Sequence, residues 1–391
     1  MAWNSVEVAE QRIRFVVQAA RRAQSLSGLC EEFGISRPTG YHWLGRYQSG
    51  GARAVQEQSR RPHHSPRRTP AEQEWRVVEL RQQRPDWGAR KLQVLLRREG
   101  IALPVITIHR ILLRYDLVRE QDRWQQAEQR FQRGAPNELW QMDFKSPKGW
   151  NRPVGPLSIL DDHSRYAIAL RALGSTHAVG VRGALQEAFG ECGLPEEMLM
   201  DHGTPWWNTN APGGWTQLTV WLMKQGIRCW FSGVRHPQTQ GKVERFHGSL
   251  EAARRRRGPP AEEGQRQAWL DAFRQEYNQV RPHAALGMNT PASVWRPSAR
   301  EYVADPPDWE YGSGAEIQRL SKAGTLKLAG RRWPVCRALP GEWVQLVAVG
   351  SRRLVFYCRT PIAEIDLAAQ RSVAVDVGRS LECKRCLDNT V

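Results

Sequence analysis

Residues 138–145 read ELWQMDFK, and PLSILDD (156–162) and RYAIALRAL (165–173) follow them. Each run is short, rich in apolar or β-favouring residues and bounded by Gly, Pro or Asp, the pattern of consecutive strands. Beyond them the texture alternates. HAVGVRGALQEAFGECG (177–193) reads as a helix ended by Gly193, and EEMLMD (196–201) as a buried strand. GGWTQLTVWLMKQG (213–226) reads as a helix and IRCWFS (227–232) as a strand. HPQTQGKVERFHGSLE (236–251) and AWLDAFRQEYNQV (268–280) supply two further helices. Three strands followed by alternating helices and strands predict an α/β sandwich around a mixed sheet, spanning 135–297.

Three acidic residues in this region stand out. Asp143 sits between Met142 and Phe144 in the first strand, Asp201 ends the strand MLMD, and Glu244 lies on the helix after the last strand. Burying an unpaired carboxylate costs several kcal/mol, so Asp143 needs a reason to be there. The carboxyl end of a buried strand is the favoured edge for ligand sites in such sheets, which suits Asp201. If the first and fourth strands are neighbours, both Asp side chains emerge side by side, and Glu244 on a covering helix completes an oxygen cluster. Carboxylates without a His/Cys set suit Mg²⁺ or Mn²⁺, not zinc. Asp161 and Asp162 are rivals, but DDHSR reads as a strand-ending turn, where Asp is commonplace.

The chain has 391 residues and a formal charge of +17, too long for one ordinary core. Residues 1–134 hold 24 Lys/Arg against 14 Asp/Glu, so the leading third carries most of the excess. A basic domain joined to a nearly balanced one suits a polyanion gripped in one place and processed in another. No apolar run reaches the ~20 residues of a membrane helix, and MAWNSVEVAEQRIR does not read as a signal peptide. A cytoplasmic protein is the expectation. Seven cysteines, mostly in apolar surroundings, read as reduced buried thiols. The lone CxxC at Cys383 and Cys386 is a weak zinc signal in a loose tail (371–391).

Within 1–50, Leu26, Leu29, Cys30 and Phe33 form one apolar helix face, Gly34 breaks it, and Ser36 can cap the next helix. This fits a helix-turn-helix whose second helix offers Arg37, Thr39, Tyr41, His42 and Arg46 to a DNA groove; Gly40 inside that helix counts slightly against it. A Pro- and Arg-rich linker (51–71) leads to a second unit of the same kind, with its connector, over 72–134. At the other end, TLKLAG, WVQLVAV, RRLVFYC and AEIDL predict a small β-barrel or sandwich over 310–370, with Arg331, Arg332, Arg352 and Arg353 at its turns.

The stretches WQMDFK, LDDHSRY, LMDHGTPWWN, HPQTQGKVERFHGSL and YNQVRPHAALGMNTPASVW resemble the motif series of bacterial insertion-sequence transposases whose core is similar to retroviral integrases. The likeness covers nearly the whole chain. It implies a ribonuclease-H-like core, with Asp143, Asp201 and Glu244 as the DDE triad, and Mg²⁺-dependent cutting and strand transfer by a multimer on paired element ends. Two departures are visible. Asp201-His202-Gly203 stands where the family usually has Asp-Asn-Gly, which puts His202 in place of an amide near the metal. The interval to Glu244 is also long, with WWNTNAPGGW (206–215) as the insertion.

The expected function is therefore a DNA transposase using two divalent ions, with terminal inverted repeats and target DNA as partners. On this reading Glu244 faces the metals. Lys242 and Arg245, elsewhere round the helix, meet phosphates, joined by Arg235, His236 and Gln238 from the preceding loop and by the run Arg254–Arg257. The competing expectation is a DNA-binding repressor or end-binder whose core has decayed.

Overall fold

The computed structural model describes residues 8–22, 24–56, 68–118, 132–150, 152–211, 214–232, 241–258 and 263–375. Residues 1–70 and 71–391 form two units.

In the first unit, α1 (Val8–Arg21), α2 (Leu26–Glu32) and α3 (Arg37–Val55) pack around Phe15, Val16, Leu29, Cys30 and Trp43. The α2–α3 turn is made by Gly34 at φ 64°, and Ser36 Oγ accepts from Thr39 N to cap α3. Gly40 suits the fold. It is buried, and a Cβ there would lie 2.5 Å from Cys30 Sγ and 3.0 Å from Phe15, so only glycine lets α3 come this close. Residues 51–55, expected in the linker, complete α3 past a kink at Gly51.

The second unit begins with α4 (Ala71–Gln83), α5 (Ala89–Arg98) and α6 (Val105–Arg114), whose core is Val77, Trp87, Leu92, Leu96, Ile108 and Ile111. Trp75 and Ile106 are exposed.

Next comes the mixed sheet. Its strands are β1 (Leu139–Phe144), β2 (Leu157–Asp161), β3 (Ala167–Arg171), β4 (Glu197–Met200) and β5 (Arg228–Phe231), in the order β3-β2-β1-β4-β5. The β1–β2 and β2–β3 pairs are antiparallel, whereas β1–β4 and β4–β5 are parallel. Helices α7 (Ala178–Cys192) and α8 (Gln217–Lys224) share one core cluster with Leu157 and Ile159. On the other side, α9 (Gly241–Arg257) and α10 (Arg266–Gln275) share a second cluster with Leu160 and Leu170. The two sets alternate along β2, as side chains of a strand must.

The β3 edge is sealed by α10 and the turn after it. Gln267 bonds both Ala172 N and Leu170 O, Arg274 donates to Ile168 O, and Asn278 takes both backbone groups of Ala167.

The C-terminal part is all-β, as expected, and consists of one sheet and a separate hairpin. Strands β6 (Glu316–Arg319), β9 (Trp343–Val349), β10 (Arg352–Tyr357), β11 (Thr360–Asp366) and β12 (Arg371–Ala374) form an open antiparallel sheet in the order β12-β11-β10-β9-β6. A separate hairpin joins β7 (Thr325–Leu328) to β8 (Arg331–Pro334). The sheet buries Val344, Leu346, Val355 and Ile365 in the same cluster as the central sheet, so its inner face is covered without closure. β12 lies in what reads as tail, and Arg331 and Arg352 begin strands. Cys30, Cys192, Cys229, Cys336 and Cys358 are buried free thiols; Cys383 and Cys386 lie outside the described residues.

Candidate active site

The β1–β4 pairing is in register from Leu139↔Glu197 through Gln141↔Leu199. Carried two residues further, that register leads from Asp143 toward Asp201, which lies just past the end of β4; paired strands lie ~4.8 Å apart. Residues two apart share a strand face, so Gln141 and Asp143 point the same way. That face is covered by α9, whose first turn carries Glu244.

Burial pushes the Asp143 carboxyl up to about 7, with the charge of Asp201 and then of Glu244 adding to the rise; the Phe144 N–H and Lys145 oppose it. The three acidic groups therefore share one electrostatic field. They do not close on a point: among the described residues no group of three Asp, Glu, His or Cys side chains could hold a metal ion, and Glu244 is exposed. Mutual repulsion of like charges opposes such closure.

Asp201 is tied down on one oxygen. Its Oδ1 accepts from Gly203 N at 2.9 Å and from the Trp206 indole N–H at 2.7 Å. The His202 ring packs edge-on against Trp207 at 4.3 Å and lies tilted against Phe231 at 5.7 Å between centroids. The insertion is thus anchored by aromatic rings, with Trp206 stacked on Phe144 and Trp215 against Phe231.

The rivals Asp161 and Asp162 are structural. Asp161 accepts from Asn137 N, Ser164 N and Ser164 Oγ, which is how a turn cap uses a carboxylate. Asp162 accepts from Arg133 N, Gln141 Nε2 and the Lys242 ammonium.

That last contact corrects one expectation. Lys242 does not stand out for phosphates: its Nζ turns inward onto buried Asp162 and the Asp162 carbonyl, and burial pushes its pKa down to about 8 against the pull of Asp162. Val243 N donates to Gln141 Oε1, so the first turn of α9 is pinned twice to the sheet. Arg245 is exposed as expected. The run at the end of α9 is likewise engaged within the protein. Arg254 and Arg255 pair with Glu251, Arg256 with Asp86 and Glu276, and Arg257 with Glu276.

On α3, Arg37, Tyr41 and His42 are exposed. Arg46 folds back instead, its guanidinium 4.9 Å from the Trp43 ring centre and donating to Gln56 O. Thr39 is taken up by the Ser36 cap. Arg235, His236 and Gln238 lie outside the described residues.

Two neighbours of the carboxylates escape a reading by residue type. His247, one turn beyond Glu244, places Nδ1 3.8 Å from Asp143 Oδ2 and Nε2 2.9 Å from Ser158 Oγ. Trp206 is the other. The i, i+3 spacing from Glu244 is a signal that could have found His247; an aromatic in an insertion carries none.

Models of the integrase core domain match residues 133–237 and 225–291, a helix-turn-helix domain matches 11–63, and a homeodomain-like domain matches 39–112. The insertion element IS407 uncharacterized 31.7 kDa protein of Burkholderia multivorans is 28% identical over 223 residues, 56% of this chain and 78% of that one. The insertion element IS476 uncharacterized 39.2 kDa protein of Xanthomonas euvesicatoria is 27% identical over 237 residues, 59% of this chain and 66% of that one. Among solved structures, the HTLV-2 integrase catalytic core domain in complex with magnesium aligns at 15% identity and a TM-score of 0.32, covering 41% of this chain and 97% of that one. No described helix is long and apolar enough to cross a membrane. With helix-turn-helix matches ahead of integrase-core matches, and with insertion-element proteins among its relatives, the chain is similar to the insertion-sequence transposases with an integrase-like core.

Proposed function

We propose that the protein is a DNA transposase that binds the ends of its element and performs metal-dependent phosphodiester cleavage and strand transfer. The β1–β4 pairing supports the reading, because its register, carried two residues past Gln141↔Leu199, leads Asp143 and Asp201 to the same carboxyl edge of the sheet. Glu244 is the third catalytic carboxylate, brought over them by α9.

The donor set suits Mg²⁺ or Mn²⁺ and not softer ions, because every ligand is a hard oxygen. Burial first, and then the charges of Asp201 and Glu244, raise the Asp143 pKa, and divalent cations, two on this reading, would offset that cost. Bound there, such ions supply activation of the attacking oxygen and neutralisation of the leaving one. The chain's own residues hold the geometry. Trp206 and Gly203 fix the Asp201 carboxylate, and Lys242 and Gln141 pin the helix that presents Glu244. Arg245, exposed beside Glu244, meets DNA phosphate, and Arg37, Tyr41 and His42 meet the element end. Water attacks first and the freed 3′-hydroxyl second. Copies of the chain act together on double-stranded element ends and target DNA, in the cytoplasm.

A supercoiled plasmid carrying the cognate ends, incubated with Mg²⁺, tests the reading. Cutting and joining by the parent, lost in Asp143→Asn with end binding kept, is the expected result. A second reading, a DNA-binding protein without catalysis, is favoured by the lack of a closed three-ligand group among the described residues. Binding by the parent with no cutting would establish it.

A further inference from the structure

Trp206 joins the two strands that carry the aspartates. It is 1% exposed, its N–H donates to Asp201 Oδ1, and its ring stacks on Phe144 with centroids 5.6 Å and planes 12° apart. Phe144 follows Asp143 on β1. One side chain therefore touches the carboxylate at the end of β4 and the residue next to the carboxylate of β1.

The contact is specific. Of the other buried indoles in this core, those of Trp215, Trp221 and Trp230 make no hydrogen bond among the described residues, and those of Trp140 and Trp333 donate to the neutral oxygens of Asn137 and Leu328. That of Trp206 meets a carboxylate at 2.7 Å, the length of a charge-assisted bond. Gly203 N donates to the same Oδ1, and a Cβ at Gly203 would lie 2.8 Å from it, so the turn is shaped around this oxygen. Neither bond uses Oδ2. Two donors on one oxygen fix the rotation of the carboxylate about its Cβ–Cγ bond and leave the second oxygen for another ligand.

We propose that Trp206 is a positioning residue that holds Asp201 with Oδ2 turned to the divalent-cation site. The inference rests on the reading of Asp201 as a metal ligand. Outer contacts of this kind orient ligating carboxylates, and losing one weakens metal binding about 10-fold or more.

The test is Mn²⁺ binding by the full chain, followed through the EPR signal of free Mn²⁺. The proteins compared are the parent, Asp201→Asn, Trp206→Phe, and the chain with 3-benzothienylalanine at position 206. That last residue keeps the indole outline but carries sulfur in place of N–H. The parent is expected to bind Mn²⁺ and Asp201→Asn to lose the site. Both changes at 206 weaken binding about 10-fold, leave affinity for the element ends unchanged, and leave cleavage recoverable at high Mn²⁺. If Trp206→Phe does not fold, the benzothienyl chain decides. Parent-like Mn²⁺ affinity in the benzothienyl chain overturns the role of Trp206 while Asp201 stands as a ligand. Equal binding by the parent and Asp201→Asn, or none by the parent, overturns the reading of Asp201 and this inference with it.

Discussion

His247 stands with Nδ1 3.8 Å from Asp143 Oδ2, yet it brings no positive charge to that carboxylate. Burial, with Lys145 adding, pushes the imidazole pKa down to about 3, so the ring is neutral at physiological pH. Asp143 is left facing Asp201 and Glu244 with its own pKa near 7.

Asp143→Asn should therefore stabilise the protein while abolishing cleavage. Between pH 3.8 and about 7 the folded chain keeps a proton that the unfolded chain has released. The associated stability is complete below pH 3.8 and lost as pH rises through 7. In EDTA at pH 8, the variant should unfold with a free energy about 2–4 kcal/mol higher than the parent, and at pH 4 the two should match. Denaturant melts at the two pH values check this; an unstable variant at pH 8 would refute the argument from burial and like charge.

Lys242 and Arg245 flank Glu244 but should respond in opposite ways. Lys242→Ala strips buried Asp162 of its cation and should cost about 3–5 kcal/mol of stability. Arg245→Ala should leave stability within about 0.5 kcal/mol and weaken DNA binding, lowering the salt slope by about 1. Thermal melts alongside binding isotherms at several salt concentrations separate the two.

Asp86 receives Arg281 at 2.8 Å and Arg256 at 3.3 Å, linking the α4–α6 helices to the central domain. Asp86→Ala takes the acidic partner from the largely buried Arg281 guanidinium and leaves Arg256 with Glu276 alone. A loss of about 3 kcal/mol is expected, with protease sensitivity appearing around residues 84–90. Equal digestion patterns for parent and variant would argue that apolar contacts alone hold the junction.

Gly40→Ala should loosen the first helical unit by about 1–3 kcal/mol, because the new methyl group meets Cys30 and Phe15. Tyr41→Ala, at a position 65% exposed, should leave that unit intact and weaken binding to the element ends. Circular dichroism melts of the whole protein and gel-shift titrations distinguish the two changes.

The elements that sequence makes readable here are those whose signal is local. The Ser36 cap, the Gly34 turn and the strands around Asp143 and Asp201 follow from neighbouring residues, and adjacency of β1 and β4 then fixes where the two aspartates emerge. What stays hidden depends on partners far along the chain. The arginines 254–257 look solvated until Glu276 and Asp86 are folded beside them, and Lys242 looks free until Asp162 arrives from 80 residues away. Strands β6, β8 and β12 are short and polar, so no period-2 pattern announces them. Their pairing is decided by the strands they meet.

The sealing of β3 by Gln267, Arg274 and Asn278 also bears on life at high local concentration. A naked strand border invites another polypeptide to zip onto it, and self-templated aggregation begins that way. With those backbone groups already occupied, a second chain finds no free N–H or C=O at these positions along β3.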